Sequence, residues 1–324
     1  MSRLSVAPMM DWTDRHCRYF HRLLTPSALL YTEMVHAEAV IHGDRERLIG
    51  FHHHENPLAL QLGGSEPEKL AQAARIGAEW GYDEVNLNVG CPSDRVQSGR
   101  FGACLMHEPA LVADCYAAMQ AAVSIPVTIK CRLGVDDQDE YADLQRFISV
   151  IAERGCGTFI VHARKAWLKG LSPKENREVP PLNYQRVYQL KRDFPALGIL
   201  INGGIQTVAE VQTHLQHCDG VMLGRTAYHE PYRLAELEHS LFGTPLPDRV
   251  EVIRQMRGYI EEHLAQGGRL QHIARHLLGL FQGLPGARGW RRYLSENAHR
   301  PDADWGVVER ALTSGTELAR VRVA

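Results

Sequence analysis

The chain has 324 residues, a hydrophobic share of 44%, a charged share of 23% and a formal net charge of −2. That size holds one large domain with a small one, or two medium ones, and the composition is that of an ordinary soluble globular protein. The near-zero charge excludes a globally basic nucleic-acid binder, so any nucleic-acid partner has to meet a local basic patch.

Seven cysteines, an odd number without a C-x-x-C pair, suggest neither a disulfide framework nor a zinc knuckle. The N-terminus runs directly into a strand pattern, with no signal-peptide core, and no apolar run approaches a membrane span. A reducing cytoplasm, no membrane and no obligate protein partner are the expectations.

Short apolar runs recur at strand–helix spacing. Strands are expected at residues 5–9, 28–34, 58–62, 84–90, 127–133, 158–162, 198–202 and 220–223. Helices are expected at 13–24, 67–80, 109–123, 139–154, 184–193, 208–216 and 231–241. Ser65 is expected to cap the helix that starts at Pro67, with Glu68 favouring its N-terminus. Long loops fall at 91–107 and 164–181. Eight strands, all but the second followed by an expected helix, predict an α/β fold, a (β/α)8 TIM barrel. The rival, a doubly wound open sheet, normally carries a glycine-rich turn after its first strand. Here that strand runs into Ala7-Pro8-Met9-Met10-Asp11, and no G-x-G-x-x-G occurs.

Gly243-Thr244-Pro245-Leu246-Pro247 reads as a linker. Beyond it Val250, Ile253, Met256, Ile260 and Leu264 recur at helical steps. Further helices are expected over 272–281, 290–297 and from 307 onward. The expected division is 1–243, a catalytic barrel, and 244–324, a small all-helical domain. Arg288, Arg291 and Arg292 cluster there beside Trp290 and Tyr293.

In such a barrel the active site lies at the C-terminal strand ends. Those ends carry Pro8-Met9-Met10, Glu33-Met34, Gln61, Asn88 with Cys91, Lys130 with Arg132, His162 with Arg164, Asn202-Gly203-Gly204 and Gly224-Arg225. Each has a bland reading alone: Cys91 a small hydrophobe, His162 a structural histidine, Lys130 a charge snorkelling from a strand, Gly203-Gly204 a turn. Their coincidence on one rim favours function. The turns after strands seven and eight occupy the usual phosphate place of barrels, and Arg225 offers a charge-assisted fork. Gln61, Lys130 and His162 suit a planar heterocycle, and flavin mononucleotide (FMN) fits the set. Three of the six lysines, Lys165, Lys169 and Lys174, sit with Arg177 in the 164–181 loop. Arg95 and Arg100 follow Cys91. Basic loops there suit a polyanionic substrate, although charge runs in loops are usually only solvated. A Schiff-base enzyme built on Lys130 and a non-catalytic binding protein are the alternatives.

Several long motifs make the chain recognisable. They are the 7–14 segment APMMDWTD, Leu60-Gln61-Leu62-Gly63-Gly64, the 88–97 segment NVGCPSDRVQ, and Thr128-Ile129-Lys130-Cys131-Arg132-Leu133-Gly134. They continue through His162-Ala163-Arg164-Lys165, the 170–177 segment GLSPKENR, Asn202-Gly203-Gly204-Ile205 and Gly283-Leu284-Pro285-Gly286-Ala287-Arg288. The chain resembles the tRNA-dihydrouridine synthases of the bacterial A subfamily over nearly its whole length. That resemblance implies an FMN enzyme that uses NADPH to reduce the uracil C5–C6 bond in tRNA, at positions 20 and 20a in this subfamily. It implies that Cys91 protonates C5 as general acid, a role suited to a thiol of ordinary pKa about 8.5. It places Asn88 beside the uracil. It assigns FMN binding to Pro8, Met9, Met10, Gln61, Lys130, His162, Asn202, Gly203, Gly204, Gly224 and Arg225. Lys174, Arg177, Arg288 and Arg291 are the expected tRNA contacts. Asn86, on the same strand face as Asn88, is left without a role.

Overall fold

A computed structural model describes residues 2–93 and 99–314. By its contacts the chain divides into two compact units, residues 1–11 with 28–224, and residues 12–27 with 225–324.

The first unit is built on nine parallel strands: β1 Leu4–Val6, β2 Leu30–Tyr31, β3 Val35–His36, β4 Leu58–Gly63, β5 Glu84–Val89, β6 Val127–Arg132, β7 Thr158–His162, β8 Gly198–Asn202 and β9 Gly220–Leu223. They run β1-β9-β8-β7-β6-β5-β4-β2, with β3 an extra partner of β4. A parallel bridge between Ser5 and Leu29 joins β1 to the start of β2, so eight strands form a ring. The chain is a (β/α)8 TIM barrel.

The first two strands are shorter than the apolar pattern predicts. Ala7 still donates to the Leu223 carbonyl at 2.8 Å, but Pro8 has no N–H and the ladder stops there. Two short helices missed by periodicity, Ala37–His42 and Arg45–Ile49, follow β3. The helix Pro67–Glu79 has Glu66, not Ser65, at its N-cap, and no side chain caps it. Proline at the first helical position already removes one orphan donor. The 164–181 loop contains a single helical turn, Glu175–Arg177.

The barrel interior is divided. One part is apolar, with Ala7, Leu29, Tyr31, Ala59, Ile160, Leu200 and Met222 packed together. The other is polar: Gln61, Asn86 and Thr128 are all buried. The two-residue strand period decides which residues face inward. A Cβ added at Gly77, on the helix covering the barrel, would touch Leu60 at 2.7 Å and Val85 at 3.8 Å. Leu60 and Val85 therefore face the helix layer, and the intervening residues face inward.

The second unit is helical, and it takes in Arg15–Leu24, Arg225–His229 and Tyr232–Phe242 as well as the helices after residue 244. Asp14 caps the first of these through the N–H groups of His16 and Cys17 and pairs with Arg275 and His276. The single helix expected around Met256 is two, Arg249–Gln255 and Arg257–Ala265, because the Met256 N–H turns to Ile253 O, one residue short of helical spacing. Trp290 is fully buried. Its ring meets Phe281 edge-on at 5.1 Å and its Nε1 donates to Leu277 O at 3.1 Å. It is a core residue of this unit and offers no face to an RNA base.

Candidate active site

Cys91 follows β5 and is half-buried. Two side chains fix the backbone around it. Asn88 Oδ1 accepts from the N–H groups of Gly90 at 3.1 Å and Cys91 at 3.0 Å, an Asx-type turn. From the next strand, Arg132 Nε donates to Gly90 O at 2.8 Å. The Cys91 carbonyl accepts from Ala103 N at 2.9 Å. Its thiol points toward the Ser93 hydroxyl, 3.6 Å away. Sequence reading placed Arg132 at the rim but gave it no task. The available signal was Thr128, Lys130 and Arg132 on one strand face, where a buried arginine needs several acceptors. It has three: Gly90 O, Lys165 O at 3.1 Å and Asn176 O at 3.0 Å.

Strand register assembles the other candidates. Gln61 pairs with Asn86, Asn88 with Lys130, Arg132 with His162, and His162 with Asn202. Gln61 donates to Asn86 Oδ1 and accepts from Asn88 Nδ2, both at 2.8 Å. Lys130 Nζ donates to Asn202 Oδ1 at 3.1 Å, and Asn202 Nδ2 donates to Met222 O at 2.8 Å. Gln61, Asn88, Cys91, Lys130, His162 and Asn202 thus share consecutive strands at one end of the ring.

The electrostatics are one-sided. Burial, then the charges of Arg132, Lys130, Arg164 and Arg177, push His162 well below the ordinary histidine value. His162 is therefore a neutral ring among cations. Burial and the Arg132 charge bring Lys130 down to about 8. Burial likewise lowers Arg132 to about 10, with Arg177 and Arg164 contributing.

The glycine turns separate into two kinds. Gly203 has φ 118°, and a Cβ there would lie 2.7 Å from His162 Cδ2. Gly204 has φ 69°, and its Cβ would lie 2.6 Å from Leu182 Cδ1. The fold itself requires both. Gly224 has nothing within 4 Å of an added Cβ, so its turn is open.

Pro8 and Met9 are half-buried after β1, and Met10 is exposed. Gly224 ends the first unit and Arg225 opens a helix of the second. Lys174 and Arg177 are exposed on the 164–181 loop. That loop is wound round buried Asn176, which donates to Trp167 O at 2.9 Å and Leu171 O at 3.2 Å and accepts from Trp167 N at 2.8 Å. Lys165 is engaged within the fold, by Asp139 at 3.1 Å and over the Trp167 ring at 4.0 Å. Arg100 pairs with Glu108 at 3.6 Å, while Arg95 lies outside the described residues. Arg288 and Arg291 are exposed on the helix Ala287–Asn297 of the second unit.

The dihydrouridine synthase (Dus) family model matches residues 5–315. A protein of Xanthomonas campestris pv. campestris named tRNA-dihydrouridine(20/20a) synthase is 64% identical over 318 residues, covering 98% of this chain and 95% of that one. Proteins of the same name from Vibrio cholerae serotype O1 and Yersinia pestis are 62% and 61% identical, each over 96% of this chain and over 95% and 91% of their own lengths. The chain belongs to the dihydrouridine synthase family.

Proposed function

We propose that this protein is a tRNA-dihydrouridine synthase that reduces the uracil C5–C6 bond at positions 20 and 20a of tRNA, with FMN as its cofactor and NADPH as reductant. The observation that carries the reading is the double clamp on Cys91. Asn88 and Arg132 hold the backbone on either side of one peptide unit, at a strand end facing a cationic set. A thiol fixed in this way is prepared to give up a proton in one direction.

The residues fit a flavin phosphate and a flavin ring. Among the described residues, the charges that lower His162 are those of Arg132, Lys130, Arg164 and Arg177, so the site gains by accepting an anion. The open Gly224 turn leaves room for one. Bound FMN supplies the hydride chemistry, renewed by NADPH. In this reading Lys130 supplies a hydrogen-bond donor, whose position Asn202 fixes, and positive charge. Gln61, its amide oriented from both sides, offers its second N–H. His162, neutral, donates from one ring nitrogen. Cys91 holds at Sγ the proton that uracil C5 receives. Asn88 holds the Cys91 backbone and has one amide hydrogen left for the base. Lys174 and Arg177 on one unit and Arg288 and Arg291 on the other contact tRNA phosphates. The target uridine leaves its stack to reach a barrel mouth, which costs less in a loop than in a duplex. Family membership sets aside the Schiff-base reading of Lys130.

The test is to map dihydrouridine in tRNA from cells with and without the gene, and to record the visible spectrum of the purified protein. The expected result is loss of dihydrouridine at positions 20 and 20a, and a yellow protein. An unchanged tRNA map, with a colourless protein, overturns the reading.

A further inference from the structure

Asn86, left without a role by the sequence, lies in the middle of a continuous hydrogen-bond chain inside the first unit. Asn88 Oδ1 accepts from the Cys91 N–H at 3.0 Å, and Asn88 Nδ2 donates to Gln61 Oε1 at 2.8 Å. Gln61 Nε2 donates to Asn86 Oδ1, and Asn86 Nδ2 donates to Thr128 Oγ1, both at 2.8 Å. The Thr128 hydroxyl donates to Glu84 Oε1 at 2.6 Å, and the Tyr31 hydroxyl reaches the same oxygen at 2.6 Å.

Every link in this chain donates toward Glu84. The two ends dictate that direction independently. A backbone N–H at Cys91 can only donate, and an ionised carboxylate can only accept. With its hydrogen committed to Glu84, Thr128 presents a lone pair to Asn86. Asn86 must then turn its NH2 to Thr128 and its oxygen to Gln61, and the same constraint passes to Gln61 and Asn88. Asn86 and Gln61 are at most 1% exposed, and buried amides cost stability unless every link is made. Burial pushes the Glu84 carboxyl up, and the Thr128 and Tyr31 hydrogen bonds oppose that.

We propose that Glu84, at the opposite end of β5 from Cys91, is a positioning residue. Its carboxylate fixes the polarity of this chain, and so presets how Gln61 and Asn88 present their amides and where the Cys91 backbone sits. The inference rests on the reading of Cys91 as proton donor and extends that site through the barrel interior. Removing the carboxylate frees the Thr128 hydrogen to turn toward Asn86. That sets donor against donor somewhere between Thr128 and Cys91.

The test compares Glu84→Leu, Glu84→Gln and Thr128→Val with wild type as flavin-loaded full-length protein. Three quantities are measured: kcat, KM for tRNA, and the iodoacetamide alkylation rate of the Cys91 peptide by mass spectrometry. Glu84→Leu and Thr128→Val are expected to lower kcat about tenfold or more, with KM for tRNA within about twofold, and to change the Cys91 alkylation rate. Glu84→Gln keeps an acceptor oxygen and is expected to fall between Glu84→Leu and wild type. Wild-type kcat and alkylation rate in folded Glu84→Leu and Thr128→Val overturn the proposal. So does an equal loss in Glu84→Leu and Glu84→Gln that merely follows their loss of thermal stability. If Glu84→Leu does not fold, Thr128→Val and Glu84→Gln decide by the same measurements. If wild type itself makes no dihydrouridine, the proposed function fails, while the alkylation rates still read the hydrogen-bond chain.

Discussion

Arg132 Nε donates to the carbonyl oxygen of Gly90 at 2.8 Å, which ties β6 to the residue before Cys91. The same guanidinium reaches the carbonyls of Lys165 and Asn176, so one buried side chain sets both the Cys91 turn and the basic 164–181 loop. Lysine cannot reproduce this fork. Arg132→Lys is therefore expected to keep the fold and lower kcat, and Arg132→Leu to cost about 3 kcal/mol by leaving carbonyls unpaired. Urea unfolding and steady-state kinetics check both. Wild-type kcat in Arg132→Lys would mean that the clamp is not needed for turnover.

The glycines give a contrast within one site. Gly203→Ala meets a φ of 118° and the His162 ring, and is expected to lose about 1–3 kcal/mol. Gly224→Ala meets nothing within 4 Å and is expected to change stability by no more than about 0.5 kcal/mol. If the turn at Gly224 cradles the FMN phosphate, Gly224→Ala still weakens flavin binding. Thermal denaturation of the apoprotein and flavin titration separate the two effects. Unchanged flavin affinity in Gly224→Ala would remove that turn from the phosphate site.

How the sequence encodes this site is clearest in β5. The apolar run at 84–90 identified the strand, Asn86 and Asn88 on one of its faces, and the cysteine at its end. It could not identify the partners of the asparagines, because these depend on register across β4, β5 and β6. Asn86 became intelligible only with Gln61 on one side and Thr128 on the other. The same limit hid the buried role of Arg132 and of Asn176, whose acceptors lie in loops. Gly203 and Gly204 were legible as a turn, but the side chains that crowd it were not. The neighbours that forbid a side chain there are His162 and Leu182 of the same chain. The run from Arg249 onward was legible as helical, but the break at Met256 leaves no mark in hydrophobic spacing.

Stability should fall on mild acidification. Burial pushes His16 and His21 of the second unit down to about 3, against an ordinary 6.5, and His162 of the first well below it. Between those values the unfolded chain holds protons that the folded chain does not, so stability rises with pH across the window and is lost as pH falls through it. Asp14 adds to the loss below the ordinary carboxylate range. Burial opposes its charge, but His276, the Cys17 N–H and Arg275 hold it well below its usual value. Glu84, raised by burial, acts in the opposite sense. A lower urea midpoint at pH 5 than at pH 7.5 is expected, and equal midpoints would contradict this ordering.

The tRNA surface is tested by salt. Binding is expected to weaken as salt rises, with a log–log slope of about −0.7 to −0.9 per phosphate contact. Lys174→Ala, Arg177→Ala, Arg288→Ala and Arg291→Ala should each reduce that slope by about one. A variant that leaves both affinity and slope unchanged is not a contact.

The role of Cys91 is the centre of this account, and Cys91→Ala tests it most directly. The variant is mixed with NADPH, FMN and unmodified tRNA, and two quantities are followed: the flavin absorbance and the dihydrouridine formed, the latter by mass spectrometry. The expected result is a folded protein that binds flavin and tRNA, whose flavin NADPH still bleaches, and that forms almost no dihydrouridine. Dihydrouridine formation at the wild-type rate would contradict the assignment of Cys91 as the proton donor.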